Sequence, residues 1–205
     1  MEQTNHLVFL DIETAGLKPN APIIELAAVA VESGTFRELE TFEAKVEFDM
    51  KDADVRSLGV TKFSPSEWRY ALPATDAAGK LAAFLRAHAT KALPSKRRLG
   101  GSYSVARIAA YNADFDASRL RRWSMRLDVY LPMMRMAFCV MQRTLWFFEE
   151  NQRLVPPEDY KLSTVAEHLG LQHRPTHSAL DDVRATVELA RMLAEYNRIT
   201  TTRAA

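Results

Sequence analysis

Residues 7–14, Leu-Val-Phe-Leu-Asp-Ile-Glu-Thr, constrain the fold of this chain more than any other stretch. Five apolar positions, closed by Asp-x-Glu, read as a buried strand whose C-terminal end reaches a site. Side chains alternate across a strand, so Asp11 and Glu13 project from one face, about 6–7 Å apart along the chain. Two carboxylates there repel unless a cation lies between them. In open α/β sheets, ligands bind outside the carboxyl ends of the strands. Gly16, Pro19, Asn20 and Pro22 turn the chain away directly afterwards. The same segment equally describes a strand ending in solvent with two surface acids, and the rest of the chain has to decide.

At 205 residues the chain can bury one sizeable core. The size prior favours a single domain over residues 1–205, with a core at about 6–196 and a short tail at 197–205. Hydrophobic residues make up 47% and charged residues 26%, which fits a soluble globular protein and excludes a disordered or membrane-embedded one. A lone cysteine, Cys139, rules out an internal disulfide and fits a reducing, cytoplasmic setting; between Phe138 and Val140 it reads as a buried structural thiol. No basic-then-apolar leader is visible, and Glu25 interrupts the longest apolar run, so neither secretion nor a membrane partner is expected. Charge is uneven although the net value is +1: residues 1–60 hold twelve acids against five Lys/Arg, and residues 86–126 hold ten Lys/Arg against two acids. That asymmetry suggests a polyanionic partner approached from one side.

Along the chain, Ile23 to Val31 reads as a second buried strand and Glu38 to Phe48 as a half-exposed one, making an antiparallel meander with the first. A short helix is expected over Asp52 to Val60, ending at Gly59. Another is expected over Thr75 to Ala89, with Thr75 as N-cap. Leu93 to Ser104 reads as a flexible loop, Val105 to Tyr111 as a core strand and Phe115 to Leu127 as a basic amphipathic helix. Residues 128–150, rich in Met and aromatics, suit a short segment and then a helix, packed on the core or serving as an interface. Leu162 to Leu169 ends at Gly170, and Ser178 to Tyr196 is the clearest helix, with Ser178 and Asp181 spaced like a capping box.

Three short motifs stand on three of these elements: Asp11-x-Glu13-Thr14, Tyr111-Asn112-Ala113-Asp114-Phe115-Asp116, and His177-x-Ala179-x-x-Asp182. Each alone is cheap; Asp116 and Asp182 also suit helix N-termini electrostatically. In this order and at these element ends, they resemble the signature of the DEDDh family of 3′–5′ exonucleases, the group that includes the proofreading subunit of bacterial replicative polymerase, ribonuclease T and oligoribonuclease. The resemblance covers residues 6–195 and extends to Ile23-Ile24-Glu25 and Lys161-Leu162-Ser163. It implies an α/β fold of the ribonuclease H-like kind, a mixed sheet with helices on both faces.

By that resemblance Asp11, Glu13, Asp116 and Asp182 would hold two divalent cations, Mg²⁺ or Mn²⁺, with Asp11 between them, and His177 would serve as general base. Hard cations favour carboxylate oxygens, and an imidazole titrating near pH 6.5 offers a proton-accepting form at neutral pH. The tyrosine subgroup would carry Tyr where Ser178 stands. Thr14, Ala15, Gly16 and Leu17, with Tyr111 and Asn112, would meet the terminal nucleotide, Leu17 as a wedge and the backbone of 14–16 at the 3′-OH. Two positions depart from the family: Tyr111 stands where His is common, and Ala15 where a second Thr is common. Phe115 reads as core rather than a stacking platform. Arg119, Arg121, Arg122 and the Lys96-Arg97-Arg98 run suit either a backbone track or a solvated face. The expected activity is release of nucleoside 5′-monophosphates from the 3′ end of single-stranded DNA, with RNA or short oligoribonucleotides as the alternative substrate and a catalytically silent binding or polymerase-associated module as a third reading. The chain leaves no long tail after Tyr196 for tethering to a polymerase, which favours a stand-alone nuclease.

Overall fold

The computed structural model describes residues 5–96 and 98–204. Three strands come first, β1 (His6–Thr14), β2 (Ile23–Glu32) and β3 (Glu38–Lys45). Helices α1 (Val55–Val60) and α2 (Ala74–Ala87) follow, then the strands β4 (Lys91–Pro94), β5 (Ser102–Val105) and β6 (Ile108–Ala110). Helix α3 (Ala113–Arg126), the two-residue strand β7 (Phe138–Cys139), and helices α4 (Val140–Glu150), α5 (Leu162–His168) and α6 (Ala179–Ala204) complete the chain. The main sheet has five strands in the order β3-β2-β1-β6-β7. Pairing is antiparallel on the β3-β2-β1 side and parallel from β1 through β6 to β7, so the sheet is mixed.

Strand β1 is central, and its period of two sorts its residues between the layers. Val8, Leu10 and Ile12 pack with Leu81, Phe84 and Leu85 of α2 and with Leu120 and Trp123 of α3. Phe9 points the other way, into a second core with Phe147 and Phe148 of α4, Val165 of α5, and Val183, Leu189 and Leu193 of α6. Strand β2 is buried throughout, apart from half-buried Glu32 at its end, because both its faces carry helices; hence its unbroken apolar run. A third, small cluster of Ala15, Ile24 and Leu58, backed by Phe48, Phe63 and Trp68, anchors the turn that leaves β1. The mixed sheet with helices on both faces is therefore as the sequence suggests. No helix among the described residues is long and apolar enough to cross a membrane.

Four local expectations are corrected. Residues 93–104 are not a featureless loop: β4 and β5 form a two-stranded hairpin with Leu93 opposite Tyr103, and Gly100, at φ 70°, supplies the left-handed turn residue. The expected core strand over Val105–Tyr111 is split, with Ala106 bridging Met133 before β6 begins at Ile108. Thr75 lies inside α2, whose N-cap is Pro73 without a side-chain bond; proline's fixed φ and missing N–H already suit a helix start. Ser178 and Asp181 do not close a capping box, since Ser178 Oγ turns to Glu25 and Asp181 accepts from Thr176 Oγ1. Outside the described residues lies Arg97.

Because α3 carries one face of the sheet on Leu120, 1% exposed, Leu120→Ala should destabilise the fold by about 2–5 kcal/mol. Chemical denaturation at unchanged m-value checks this.

Candidate active site

The alternation that sends Phe9 into the α6 layer also sends Asp11 and Glu13 there, two and four residues later. At Glu13–Thr14 the pairing with β2 slips by a residue, a bulge that ends the ladder where the acids stand. The chain then turns through Ala15–Asn20. Thr14 Oγ1 donates to the Gly16 carbonyl at 2.9 Å, Asp54 N–H to the Ala15 carbonyl at 2.7 Å, and Arg119 Nη2 to the Leu17 carbonyl at 2.7 Å. With those three oxygens taken, the turn leaves the Leu17 side chain 82% exposed. Gly16 has a packing reason: a Cβ there would stand 3.3 Å from Ala21 Cβ. Ala15 is fully buried in the cluster under the turn, so its missing hydroxyl is no loss to the site surface.

Helix α3 brings Asp116. Its carboxylate is 3% exposed and accepts the Ile12 N–H, which locks it beside β1. Asn112 heads the helix in an exposed position and accepts through its carbonyl from the Phe115 and Asp116 N–H groups. Tyr111 is not brought to the acids: it is buried in the α6-side core, and its hydroxyl donates to the Tyr160 carbonyl at 2.6 Å. Phe115 packs at the edge of the opposite core, with the Arg119 guanidinium 3.6 Å above its ring.

The start of α6 brings Asp182 and His177. Asp182 Oδ1 accepts the N–H groups of Thr176 (3.0 Å) and His177 (3.3 Å). His177 is exposed and holds φ at 62°, a left-handed conformation that a non-glycine residue adopts only when its surroundings over-determine it. Donor atoms of Glu13, His177 and Asp182 all lie within 4.8 Å of one another.

The electrostatics follow from crowding. Burial, then Asp116, Glu13, Asp182 and Glu25, hold Asp11 well above the ordinary carboxylate range. Glu13 is pushed up to about 8 by burial and then by Asp182, Glu25 and Asp116. Asp116 rises to about 7 through burial, against the pull of the Ile12 N–H. Asp182 is also raised by burial, while the Thr176 N–H and His177 draw it back. A set of hard oxygen donors that strain to stay protonated is the donor chemistry a pair of Mg²⁺- or Mn²⁺-sized cations would relieve.

One residue escaped the sequence reading as part of the site. Glu25 is 3% exposed on β2, directly opposite Glu13 in the register, and its charge reaches Asp11 and Glu13. Its signal was an acid inside an otherwise apolar strand. Within the basic segment Arg107, Arg119 and Arg121 are half-buried, while Arg86, Lys91, Lys96, Arg98, Arg122 and Arg126 stay exposed. Arg107 donates to the His6 carbonyl, Arg119 to Leu17, Arg121 to the carbonyls of Met134 and Arg135, and Arg126 to Asn20 Oδ1. The hairpin that carries Lys96 and Arg98 springs from Thr90, which bonds the His6 N–H at the far end of β1, about 16 Å from Asp11 at the strand rise.

A family model described as a 3′–5′ exoribonuclease Rv2179c-like domain matches residues 5–194. No curated protein matches the sequence. Among solved structures, exonuclease I superposes with a TM-score of 0.71 at 18% identity, over 94% of this chain and 43% of that one. E. coli exonuclease I with a dT13 oligonucleotide gives 0.71 at 16% identity over 92% and 41%, and the zinc-bound form of the E. coli enzyme with single-stranded DNA gives 0.72 at 17% over 94% and 41%. The chain thus spans less than half the length of those proteins, and shares with them the ribonuclease H-like fold.

In the metal-free protein these acids keep protons that the unfolded chain releases near pH 4. The native state therefore binds more protons between about pH 4 and 8, and stability falls as pH rises through that window. For Glu13 and Asp116 the penalty is absent below the unfolded values and complete above about 8. Thermal midpoints of chelated protein should decline across pH 5–8, and Asp11→Asn should flatten the slope and raise the midpoint at the alkaline end. Saturating Mn²⁺ should act in the same direction.

Proposed function

Since the chain belongs to the Rv2179c-like family of 3′–5′ exoribonuclease domains, we propose that it removes nucleoside 5′-monophosphates one at a time from the 3′ end of single-stranded nucleic acid, with RNA as its principal substrate. The observation that carries this reading is the convergence of Asp11, Glu13, Asp116, Asp182 and His177, from three distant segments, at the carboxyl end of β1.

Asp11, Glu13, Asp116 and Asp182 would hold two divalent cations. When bound, such a pair supplies charge stabilisation to the attacking and leaving oxygens of an in-line displacement at phosphorus. The protein's own groups do the rest. His177, exposed at the rim and within 4.8 Å of Glu13 and Asp182 donor atoms, takes the proton from the attacking water. Leu17 wedges against the terminal base, and Asn112 lies at the head of α3 on the same side. Arg119 ties the Leu17 turn to the helix of Asp116, so wedge and carboxylate keep a fixed distance. We read residues 6–196 as one catalytic domain acting in a cytoplasmic setting on single-stranded nucleic acid with a free 3′ end.

A second substrate reading, single-stranded DNA, is favoured by the fold shared with exonuclease I, described in complex with a dT13 oligonucleotide. It was the leading expectation from the sequence; the exoribonuclease description of the matched family moves RNA ahead of it.

Asp11→Ala should abolish turnover while the fold survives, and EDTA should do the same reversibly. Activity within tenfold of wild type would remove Asp11 from its central role. His177→Ala should lose about 10²–10⁴-fold in rate, with part recovered as pH rises and hydroxide replaces the base.

Linear 3′-labelled RNA and DNA of one sequence, each beside its circular form, test direction and substrate together. The linear strands should shorten from the 3′ end, RNA faster than DNA, while circles survive. Rapid cleavage of a circle would overturn the exonuclease reading, and faster loss of DNA would overturn the RNA preference.

A further inference from the structure

We propose that Glu25 is a positioning residue for His177: its carboxylate pins the first turn of α6 to the sheet and so holds the histidine over Glu13 and Asp182. This rests on the general-base role proposed for His177.

Strand β2 has no other charged side chain between Ile23 and Val31. An acid buried to 3% exposure in such a strand is retained only where donors meet it. Glu25 feels the charge of Lys45, opposite it in the β2–β3 register and itself donating to Glu67. It also meets two donors from the start of α6: the Ala179 N–H donates to its carboxylate, and Ser178 Oγ approaches Oε1 at 3.5 Å. Those are the two residues immediately after His177.

The segment they belong to needs holding. His177 sits at φ 62°, and the residues before it are secured by α6 itself, through Thr176 and His177 N–H to Asp182 Oδ1 and Thr176 Oγ1 to Asp181 Oδ2 at 2.6 Å. These bonds fix the shape of the loop relative to its own helix. They do not fix it relative to β1, where Asp11 and Glu13 stand. The apolar seat of Ala179 and Val183 against Phe9 and Val29 holds the body of α6 to the sheet. Glu25 adds a polar tie at its first turn, because it is a neighbour of Glu13 in the β1–β2 register and reaches across 153 residues of sequence to Ser178. With the helix so seated, this carboxylate orients the loop that carries the imidazole over the acids. Backbone N–H groups at a helix start are natural partners for an anion, so the contact favours the helix as well.

Position, rather than charge, is the quantity at stake, and the test separates the two. Glu25→Gln keeps an acceptor of the same reach and should retain most of kcat. Glu25→Ala, and Glu25→Asp with one methylene less of reach, should lower kcat by about 10²-fold, with KM little changed, as expected of a misplaced catalytic group. In a His177→Ala background neither substitution should cost anything further, because the loss passes through the histidine. Amide hydrogen exchange at residues 176–180 of the metal-free protein should quicken in Glu25→Ala and Glu25→Asp and remain slow in Glu25→Gln.

Equal losses with and without His177 would overturn the proposal, as would weakened Mn²⁺ binding by calorimetry, which would make Glu25 a ligand. A Gln variant as impaired as Ala would also overturn it. Should Glu25→Ala not fold, the Asp and Gln variants alone carry the comparison. A wild-type protein inactive on every 3′-ended strand would defeat the nuclease reading, while unchanged exchange at 176–180 in the Asp variant would defeat the anchor independently of it.

Discussion

Mutual repulsion among buried carboxylates is the constraint around which this molecule is built. Burial first, and then the charge of neighbouring acids, raise the proton affinity of Asp11 and Glu13, and burial does the same to Asp116, Asp182 and Glu25. No isolated strand or helix would tolerate that density. It persists because the two apolar cores on either side of β1 supply the stability, and because backbone N–H groups are aimed at the acids from Ile12, Thr176, His177 and Ala179. The site is a place where folding free energy is stored as unfavourable charge, available to a cation that binds there.

The same attention to unmet polar groups explains why Arg119 and Arg121 are half-buried and bonded to the chain. The turn after β1 and the segment after the Ala106–Met133 bridge leave carbonyls at Leu17, Met134 and Arg135 to be met by side chains, and a half-buried carbonyl needs a donor. Arg119 and Arg121, with planar guanidinium groups and long stems, supply donors to carbonyls that no backbone N–H takes. A sequence count of positive charge over residues 86–126 reads these side chains as available to an external polyanion. The hydrogen bonds show them serving the fold first.

Much of the architecture was legible because it rests on local signals. The two-residue alternation of β1, the unbroken apolar run of β2 and the helical stripe of α6 each declare both type and facing. Asp11, Glu13, Asp116, Asp182 and His177 stood out in the sequence because their motifs fall at element ends, and the structure adds that these side chains converge. Less visible was anything decided by a distant partner. The β4–β5 hairpin hides in a polar, Gly-containing stretch with little alternation. Ala15 and Tyr111 look like site residues by adjacency, yet Ile24 and Leu58 bury the one and Tyr160 ties down the other. Glu25 could be seen as an anomaly in a strand, but its partners Ser178 and Ala179 lie at the other end of the chain.

The strict alternation of β1 has a meaning for folding as well as for chemistry. Shifting its pairing by one residue would carry Asp11 and Glu13 into the layer of Leu81, Phe84 and Leu120, and leave Leu10 and Ile12 among the remaining acids. Among the described residues that layer is lined by Leu81, Phe84, Leu85, Leu120 and Trp123, where an unpartnered carboxylate is costly. The two acids therefore act as sentinels against mispairing: a chain that has closed its core around β1 has already placed its reactive groups on the correct side, and a slipped chain cannot close at all.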